Sequence, residues 1–262
     1  MKIGIRLGSL GTGSLKKDMQ RTLAIGVHGI QLRVMDTEID PRNLSASGRE
    51  ELADYIDSFG FEVSALSGEL GGYGDSATVD ERMARTRDML DLCIKLRASN
   101  LTVDAGAVAE PGTRNYELHA GAVRELGQYA LERNIRLAVT TGTEPIAQLS
   151  TFISQIKSEG LRINYDPAEL CRRGFDPIAD IKPMAHLVSH VQARDAVRGD
   201  VLSIGDERPL THGEAQIEEA IAVVREGGYD GFLSVAWDRD DDLAKNAVEA
   251  VTWLQRQDGV DP

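Results

Sequence analysis

The sequence has few cysteines and no long apolar run. Its 262 residues include 2 cysteines, Cys93 and Cys171, which lie far apart in segments with the pattern of helices. This arrangement indicates neither a disulfide framework nor a clustered zinc site, and a reducing compartment is the simplest setting. No window approaches about 18 apolar residues, and the first residues, MKIGIRLGS, lack the apolar stretch of a signal peptide. We therefore expect a cytoplasmic protein without a membrane-spanning segment.

Positive charge is also scarce. The chain carries 29 Lys and Arg against 42 Asp and Glu, which gives a formal net charge of −13. A surface of this sign repels phosphates, so broad nucleic-acid binding is disfavoured. We expect a small-molecule substrate as the partner, with neither nucleic acid nor a membrane.

Short segments of strand character alternate with stretches of helical periodicity along the whole chain. The strand-like segments are residues 2–7, 29–34, 61–66, 100–105, 135–140, 161–166, 187–192 and 231–236. The helix-like segments are residues 15–25, 46–59, 79–96, 117–133, 146–158, 178–184, 215–225 and 242–255. Eight β-then-α units in a chain of this length predict a closed (β/α)₈ TIM barrel, formed by a single domain spanning residues 1–262.

The glycines after the first strand do not favour an open dinucleotide-binding sheet. In GSLGTG the spacing of Gly8, Gly11 and Gly13 is G-x-x-G-x-G, the reverse of the dinucleotide fingerprint. We interpret this segment as a loop at the barrel mouth. Polar side chains at the carboxyl ends of barrel strands meet at that mouth, so the strand ends are where a site is expected.

Six phrases, in order along nearly the whole chain, resemble the xylose isomerase-like family of TIM barrels. They are GVHGIQLR, RLAVTTG, INYDPAELCRRGFDP, SHVQARDA, PLTHGEAQI and GGYDGFLSVAW. This family includes sugar epimerases, hydroxypyruvate isomerases, inosose dehydratases and endonuclease IV. The resemblance implies a barrel that acts on, or binds, a small polyhydroxylated molecule of sugar or sugar-acid type.

The resemblance also implies a divalent metal held by Glu, Asp, His and Glu at four strand ends. In this sequence those positions are Thr140, Asp166, Gln192 and Ala236. Only the Asp remains, and one carboxylate with neutral neighbours is a poor site for Mg²⁺ or Mn²⁺. The two glutamates that would move a proton are missing as well. We therefore expect no resident cofactor, unless a divalent metal binds at a rebuilt site.

Neighbouring residues offer such a rebuilt site. His190 precedes Gln192 by two residues and shares its face of the strand, while Glu169 follows Asp166 by three. Asp166, His190 and Glu169 are therefore candidates for metal-free proton transfer, or for a displaced metal site. The alternative for His190 is a hydrogen-bonded residue in the packed interior of the barrel.

Further residues are candidates for substrate binding: Arg6, Arg33, Asp104, Thr140, Gln192, Arg194 and Trp237. The guanidinium groups of Arg6 and Arg33 suit a bidentate anion, but they equally suit the neutralisation of Asp166 and Asp104. Trp237 is able to stack on a sugar ring or to pack at the rim. His212, in the long segment after the seventh strand, is a further candidate to reach the mouth.

Two classes of function follow from these observations. One is an enzyme similar to sugar phosphate isomerases and epimerases, or a lyase of dehydratase type, with a remodelled site. The other is a catalytically inactive barrel that binds a ligand or a partner protein at the same mouth. Endonuclease activity is disfavoured by the net charge. A homo-oligomer is a possible assembly by analogy with relatives, and the acidic run at residues 238–242 is expected to begin the last helix.

Overall fold

The computed structural model describes residues 1–200, 202–239, 242–257 and 259–260. It contains the strands β1 (Lys2–Arg6), β2 (Gly29–Arg33), β3 (Glu62–Ser67), β4 (Asn100–Val103), β5 (Arg136–Thr140), β6 (Leu161–Tyr165), β7 (Val188–Ala193), β8 (Asp195–Ala196), β9 (Glu207–Arg208) and β10 (Phe232–Val235). Eight of these strands form one closed parallel barrel in the order β1-β10-β7-β6-β5-β4-β3-β2. The predicted (β/α)₈ TIM barrel is confirmed.

Helices cover the outside of the barrel. They are α1 (Leu15–Ile25), α2 (Ala46–Ser58), α3 (Val79–Lys95), α4 (Arg114–Leu131), α5 (Ile146–Ile156), α6 (Pro167–Arg172), α7 (Ile217–Glu226) and α8 (Leu243–Leu254). Their apolar faces pack on the strands, with Met19, Leu90 and Val123 almost completely buried. Among the described residues, none of the helices is long and apolar enough to cross a membrane.

The connection between β6 and β7 differs from the prediction. The helix expected at residues 178–184 is wrong, because that segment forms turns followed by a 3₁₀ helix at Lys182–Leu187. The α-helix of this unit is α6, which begins directly after β6. Pro167 suits its first turn because the missing N–H would have no intrahelical partner, and the Asp166 carboxylate accepts a hydrogen bond from the Glu169 amide at 2.9 Å.

The register of the barrel places all carboxyl strand ends at one mouth. Thr140 pairs with Asn164 across β5 and β6, and Ser234 pairs with Gln192 across β10 and β7. The interior of the barrel is partly polar, because the side chains of Gln31, Asn164, His190, Gln192 and Ser234 are all buried there. The mouth therefore rests on a layer of hydrogen-bonding side chains.

Hydrogen bonds join the described parts of the long segment between β7 and α7. Its short strands β8 and β9 pair antiparallel, with Asp195 opposite Arg208. The carboxylate of Asp195 accepts hydrogen bonds from the amides of Ala196, Gly213 and Ala215 at 2.8 to 3.0 Å. The pairing of Ala196 with Glu207 places the Glu207 carboxylate within hydrogen-bond distance of Arg194.

The acidic run at residues 238–242 does not act as one unit. Helix α8 begins at Leu243, and the Asp242 side chain makes no capping hydrogen bond. The predicted role in helix initiation is wrong for Asp238, whose carboxylate instead pairs with Arg6 at the barrel mouth. Asp240 and Asp241 lie outside the described residues.

Candidate functional site

A polar cavity of about 270 Å³ opens at the carboxyl ends of the barrel strands. Seven of the ten predicted site residues line it: Arg6, Asp104, Thr140, Asp166, Glu169, Gln192 and Arg194. Threonine, asparagine and further charged side chains complete the wall. The cavity is smaller than the roughly 300–1,000 Å³ typical of sites for drug-sized ligands, so its size suits a small molecule.

The centre of the cavity wall is an ion pair between Arg194 and Asp166. Arg194 Nη1 lies 3.0 Å from Asp166 Oδ2, and both side chains are more than nine-tenths buried. Asp166 is held from the other side as well, because its backbone amide donates to Thr141 Oγ1 at 2.9 Å. Burial raises the pKa of Asp166, whereas the adjacent Arg194 favours the ionised carboxylate.

Two carboxylates that the sequence prediction missed complete the environment of Arg194. Its Nε donates to Glu207 Oε1 at 2.8 Å, and its Nη2 lies 3.3 Å from Asp238 Oδ2. Asp238 also pairs with Arg6, so Arg6 neutralises Asp238 rather than the Asp166 or Asp104 suggested from the sequence. Burial opposes ionisation of Asp238, but Arg6 and Arg194 together lower its pKa.

Glu169 lines the same cavity from the first turn of α6. Its carboxylate is held by Arg172 Nη1 at 2.9 Å and by Arg173 Nε at 2.8 Å. Gly142 makes room for this side chain: with φ at +126°, a Cβ there would lie 2.4 Å from Glu169 Cγ. The two arginines are visible in the sequence as the phrase CRRGF. Their pairing with Glu169 was not predicted, because it depends on α6, a helix that the sequence analysis missed.

His190 lies in the interior of the barrel and does not line the cavity. Its Nδ1 is 2.8 Å from Asn164 Oδ1 and its Nε2 is 2.9 Å from Ser234 Oγ. Burial lowers the pKa of His190 to about 3, so its ring is neutral at ordinary pH. The structure therefore favours the alternative in which His190 is a hydrogen-bonded interior residue.

Three other candidates lie outside the cavity. Arg33 is exposed and lines a neighbouring groove of about 480 Å³ with Ser14 and Glu38. Trp237 is only 6% exposed, and its backbone amide donates to Ser9 Oγ at 3.0 Å. His212 lies with Trp237 along a separate groove beside α8. The structure does not bring these three side chains to the cavity.

Neutral hydrogen-bonding groups occupy two of the positions where the resemblance placed metal ligands. Thr140 Oγ1 accepts a hydrogen bond from Asn164 Nδ2 at 3.0 Å. Gln192 Nε2 donates to Gln31 Oε1 at 2.9 Å, and Gln192 Oε1 is buried without a hydrogen-bond partner among the described residues. Both side chains line the cavity, where they are placed to contact hydroxyl groups of a ligand.

The sequence analysis also missed Glu144, which follows β5 in the phrase TTGTEP. It is 5% exposed, and its Oε2 accepts a hydrogen bond from the Val108 amide at 3.1 Å. Burial is the main reason that the pKa of Glu144 is raised to about 7, and the nearby charge of Asp104 adds to the effect. No sequence signal marked this residue, because its burial arises from the packing of two loops.

These residues do not fit a divalent ion of the kind that the resemblance implied. The guanidinium group of Arg194 already neutralises Asp166, and Ala236 is a buried methyl group. In the part of the chain that the structure describes, His, Cys, Asp and Glu side chains form no group of three suited to a metal ion. A second cation beside Asp166 would meet the positive charge of Arg194.

Comparisons with known proteins place this geometry in context. A curated inosose dehydratase from Clostridium botulinum (strain Alaska E43 / Type E3) is 20% identical over 158 residues, which is 53% of each chain. The chain thus spans about half the length of the curated relatives it matches.

Solved structures match more of the chain. A xylose isomerase domain protein from Planctomyces limnophilus superposes with a TM-score of 0.84 at 20% identity, covering 98% of this chain and 96% of that one. A probable 3-DHS dehydratase from Bacillus anthracis superposes with a TM-score of 0.78 at 17% identity, covering 98% of this chain and 100% of that one. These likenesses support the fold. The family model described as xylose isomerase-like TIM barrel matches residues 19–257, and the chain belongs to that family.

Proposed function

We propose that this protein binds a small polyhydroxylated molecule of sugar or sugar-acid type in the mouth cavity. We further propose that it acts on this molecule as an isomerase, epimerase or dehydratase that needs no divalent ion. These reactions share a first step, the removal of a proton from a carbon next to a carbonyl group. The relatives named as dehydratases and the family itself support this range of chemistry without selecting one reaction.

The observation that carries the proposal is the buried ion pair of Arg194 with Asp166. It puts a permanent cation beside the one metal-binding position that this sequence retains. A guanidinium group stays charged at all ordinary pH values, so it fixes the charge of the site without any bound ion. The remaining wall consists of hydroxyl, amide and carboxylate groups, which suit a ligand rich in hydroxyl groups.

Glu169 is the residue that we assign to proton transfer. Of the three residues predicted for this role, it lines the cavity and its side chain keeps 19% exposure, whereas His190 lies in the interior and Asp166 is bound to Arg194. Arg172 and Arg173 hold the Glu169 carboxylate in one position, which is what a general base needs. Asp104, Thr140 and Gln192 would bind ligand hydroxyl groups.

A second candidate function is ligand binding without catalysis. It is favoured by the pairing of both acidic candidates, since Asp166 and Glu169 each lie in an ion pair with arginine. An ion-paired carboxylate is a weaker base than a solvated one. The two candidates differ in one measurable property, the exchange of a carbon-bound hydrogen.

The test is a panel of aldoses, ketoses, inososes and sugar acids, applied to protein that has been treated with EDTA. Calorimetry measures binding, and NMR in D₂O measures exchange at the carbon next to the carbonyl group. We expect at least one panel member to bind and to exchange, with Glu169→Gln lowering the exchange rate by about 100-fold or more while binding is kept. Glu51→Gln, the same change on the exposed face of α2, is the matched control and should leave both unchanged.

Each outcome decides between the candidates. Binding without exchange for every panel member supports the inactive barrel. A rise in exchange of about tenfold or more on adding Mn²⁺, Mg²⁺ or Zn²⁺ overturns the metal-free mechanism. Absence of binding throughout the panel overturns the proposed ligand class.

A further inference from the structure

The charges in the mouth cavity are unequally matched. Four arginines line it, namely Arg6, Arg172, Arg173 and Arg194, and each is in an ion pair with a carboxylate. Their carboxylate partners are Asp166, Glu169, Glu207 and Asp238. The four positive charges at the mouth are therefore balanced by four carboxylates of the protein itself.

Two further carboxylates line the cavity beyond these pairs. Asp104 and Glu69 have no ion pair among the described residues, and the one hydrogen bond of the Asp104 carboxylate is with the Gly106 amide, at 2.8 Å. The buried Glu144 lies close enough to Asp104 for their charges to interact, but burial raises the pKa of Glu144 to about 7, so this side chain carries only part of a negative charge at neutral pH. A ligand entering the cavity thus meets an excess of negative charge.

The hydrogen-bonding groups of the cavity wall include many acceptors, which favour a ligand that donates hydrogen bonds. Carboxylate oxygens accept hydrogen bonds only, and Gln192 Oε1 is a buried acceptor without a donor among the described residues. The guanidinium group of Arg194 contacts carboxylates through all three of its nitrogens, whereas Arg6, Arg172 and Arg173 each contact a carboxylate through one nitrogen. A phosphate dianion or a carboxylate ligand offers further acceptors, whereas each hydroxyl group of a polyol offers a donor.

We infer that the ligand of this cavity is an uncharged sugar or another uncharged polyhydroxylated carbonyl compound, and that phosphorylated and acidic sugars are excluded by charge. The inference rests on the proposed function and narrows its ligand class. An unpaired buried acceptor has a free-energy cost, so Gln192 favours a ligand that supplies a hydroxyl donor. A dianion brought to two uncompensated carboxylates is repelled.

The test compares compounds that differ in charge and share their hydroxyl pattern. The pairs are D-fructose with D-fructose 1-phosphate, D-glucose with D-glucose 6-phosphate, and D-glucose with D-glucuronate. Calorimetry at low salt should give an affinity for the neutral member of the best-binding pair that is roughly tenfold or more above that for the charged member. The ratio should shrink when salt is raised, because the repulsion is screened.

A charge-removing variant checks the cause. Asp104→Asn keeps an oxygen that accepts from Gly106 and removes one uncompensated charge, so the neutral-to-charged affinity ratio should fall about threefold or more. Glu51→Gln changes the net charge equally at a remote exposed position and should leave the ratio unchanged.

The possible outcomes separate the two proposals. Tighter binding of a charged member than of its neutral partner overturns the inference and leaves the proposed polyhydroxylated ligand intact. If Asp104→Asn leaves the neutral-to-charged affinity ratio unchanged, the charge of Asp104 is not the cause of the selectivity. Absence of binding by both members of every pair overturns the proposed function, and the inference that rests on it.

Discussion

Arg194 is the residue on which the charges of the site depend. It contacts three carboxylates, and two of them, Asp166 and Glu207, are as buried as the arginine itself. A buried ion pair contributes little net stability compared with an apolar replacement of the whole set, but removing one partner leaves uncompensated buried charge. Stability and site geometry are therefore coupled through this side chain.

We expect Arg194→Met to lower the free energy of unfolding at neutral pH by about 3–5 kcal/mol, because Asp166 and Glu207 would be buried without a counter-charge. Arg194→Lys keeps the positive charge but loses the planar guanidinium group, so it should lower the free energy of unfolding by less. Urea denaturation measures both. Arg97→Met, which breaks the exposed pair with Asp57, is the control and should cost no more than about 1 kcal/mol. Equal costs for the buried and the exposed arginine would contradict the assigned role.

Glu144 should make stability depend on pH. Burial raises its pKa to about 7 from the ordinary value of 4.5, so the neutral acid is favoured in the fold. Its contribution to stability is fully present below pH 4.5 and is lost as pH rises through about 7. Glu144→Gln should therefore gain about 2–3 kcal/mol relative to wild type between about pH 5 and 8. Urea denaturation at both pH values checks this, with Glu51→Gln, the same change at an exposed position, as the control. A constant difference between wild type and Glu144→Gln would show that the fold does not raise the pKa of Glu144.

At the scale of elements, the site depends on the segments that follow the strands. β6 leads directly into α6, which brings Glu169, Arg172 and Arg173 to the cavity wall. β7 leads into the β8–β9 hairpin, which brings Glu207 to Arg194. Each connection places charged side chains that the eight strands of the barrel do not supply.

Asp195 is the anchor of the second connection. Asp195→Ala would remove the acceptor of the Ala196, Gly213 and Ala215 amides, so we expect faster amide exchange across residues 196–215 and weaker ligand binding. Hydrogen-exchange mass spectrometry measures the first effect and calorimetry the second. Asp200→Ala, at the exposed tip of the same segment, also removes an acceptor of backbone hydrogen bonds and serves as the matched control. Exchange confined to the tip in both variants would contradict the anchoring role.

At the scale of the whole molecule, the sequence was sufficient to predict the barrel because the same strand-and-helix pattern recurs along the chain. Each of the eight units carries an apolar strand and an amphipathic helix, and an error in one unit, as at residues 178–184, does not alter the architecture. The residues at the strand ends were also predictable, since Asp166 and Arg194 come directly after β6 and β7 in the sequence. Ion-pair partners were not predictable: Asp238 lies 232 residues from Arg6 along the chain, and closure of the barrel brings them together, while Glu207 reaches Arg194 through the β8–β9 hairpin.

The polar interior of the barrel is a property of the whole fold, and His190 joins its parts. Its ring contacts Asn164 on β6 and Ser234 on β10, and Ser234 in turn lies 3.2 Å from Ser64 on β3. His190→Leu would remove the partner of the buried Asn164 Oδ1 and would leave Ser234 Oγ with Ser64 Oγ alone. We expect it to lower the free energy of unfolding at neutral pH by about 2–4 kcal/mol, with a smaller loss for His190→Gln.

The pH dependence of this loss identifies the neutral ring as its cause. The pKa of His190 is lowered to about 3 from 6.5, so its contribution is present above pH 6.5 and is lost as pH falls toward 3. About 2–3 kcal/mol of the difference between wild type and His190→Leu should therefore disappear by about pH 4.5. His186→Leu, at an exposed histidine, should show no such change. If His190→Gln kept its stability and ligand affinity but lost hydrogen exchange about 100-fold, the interior role would be wrong and a catalytic role for His190 would replace it.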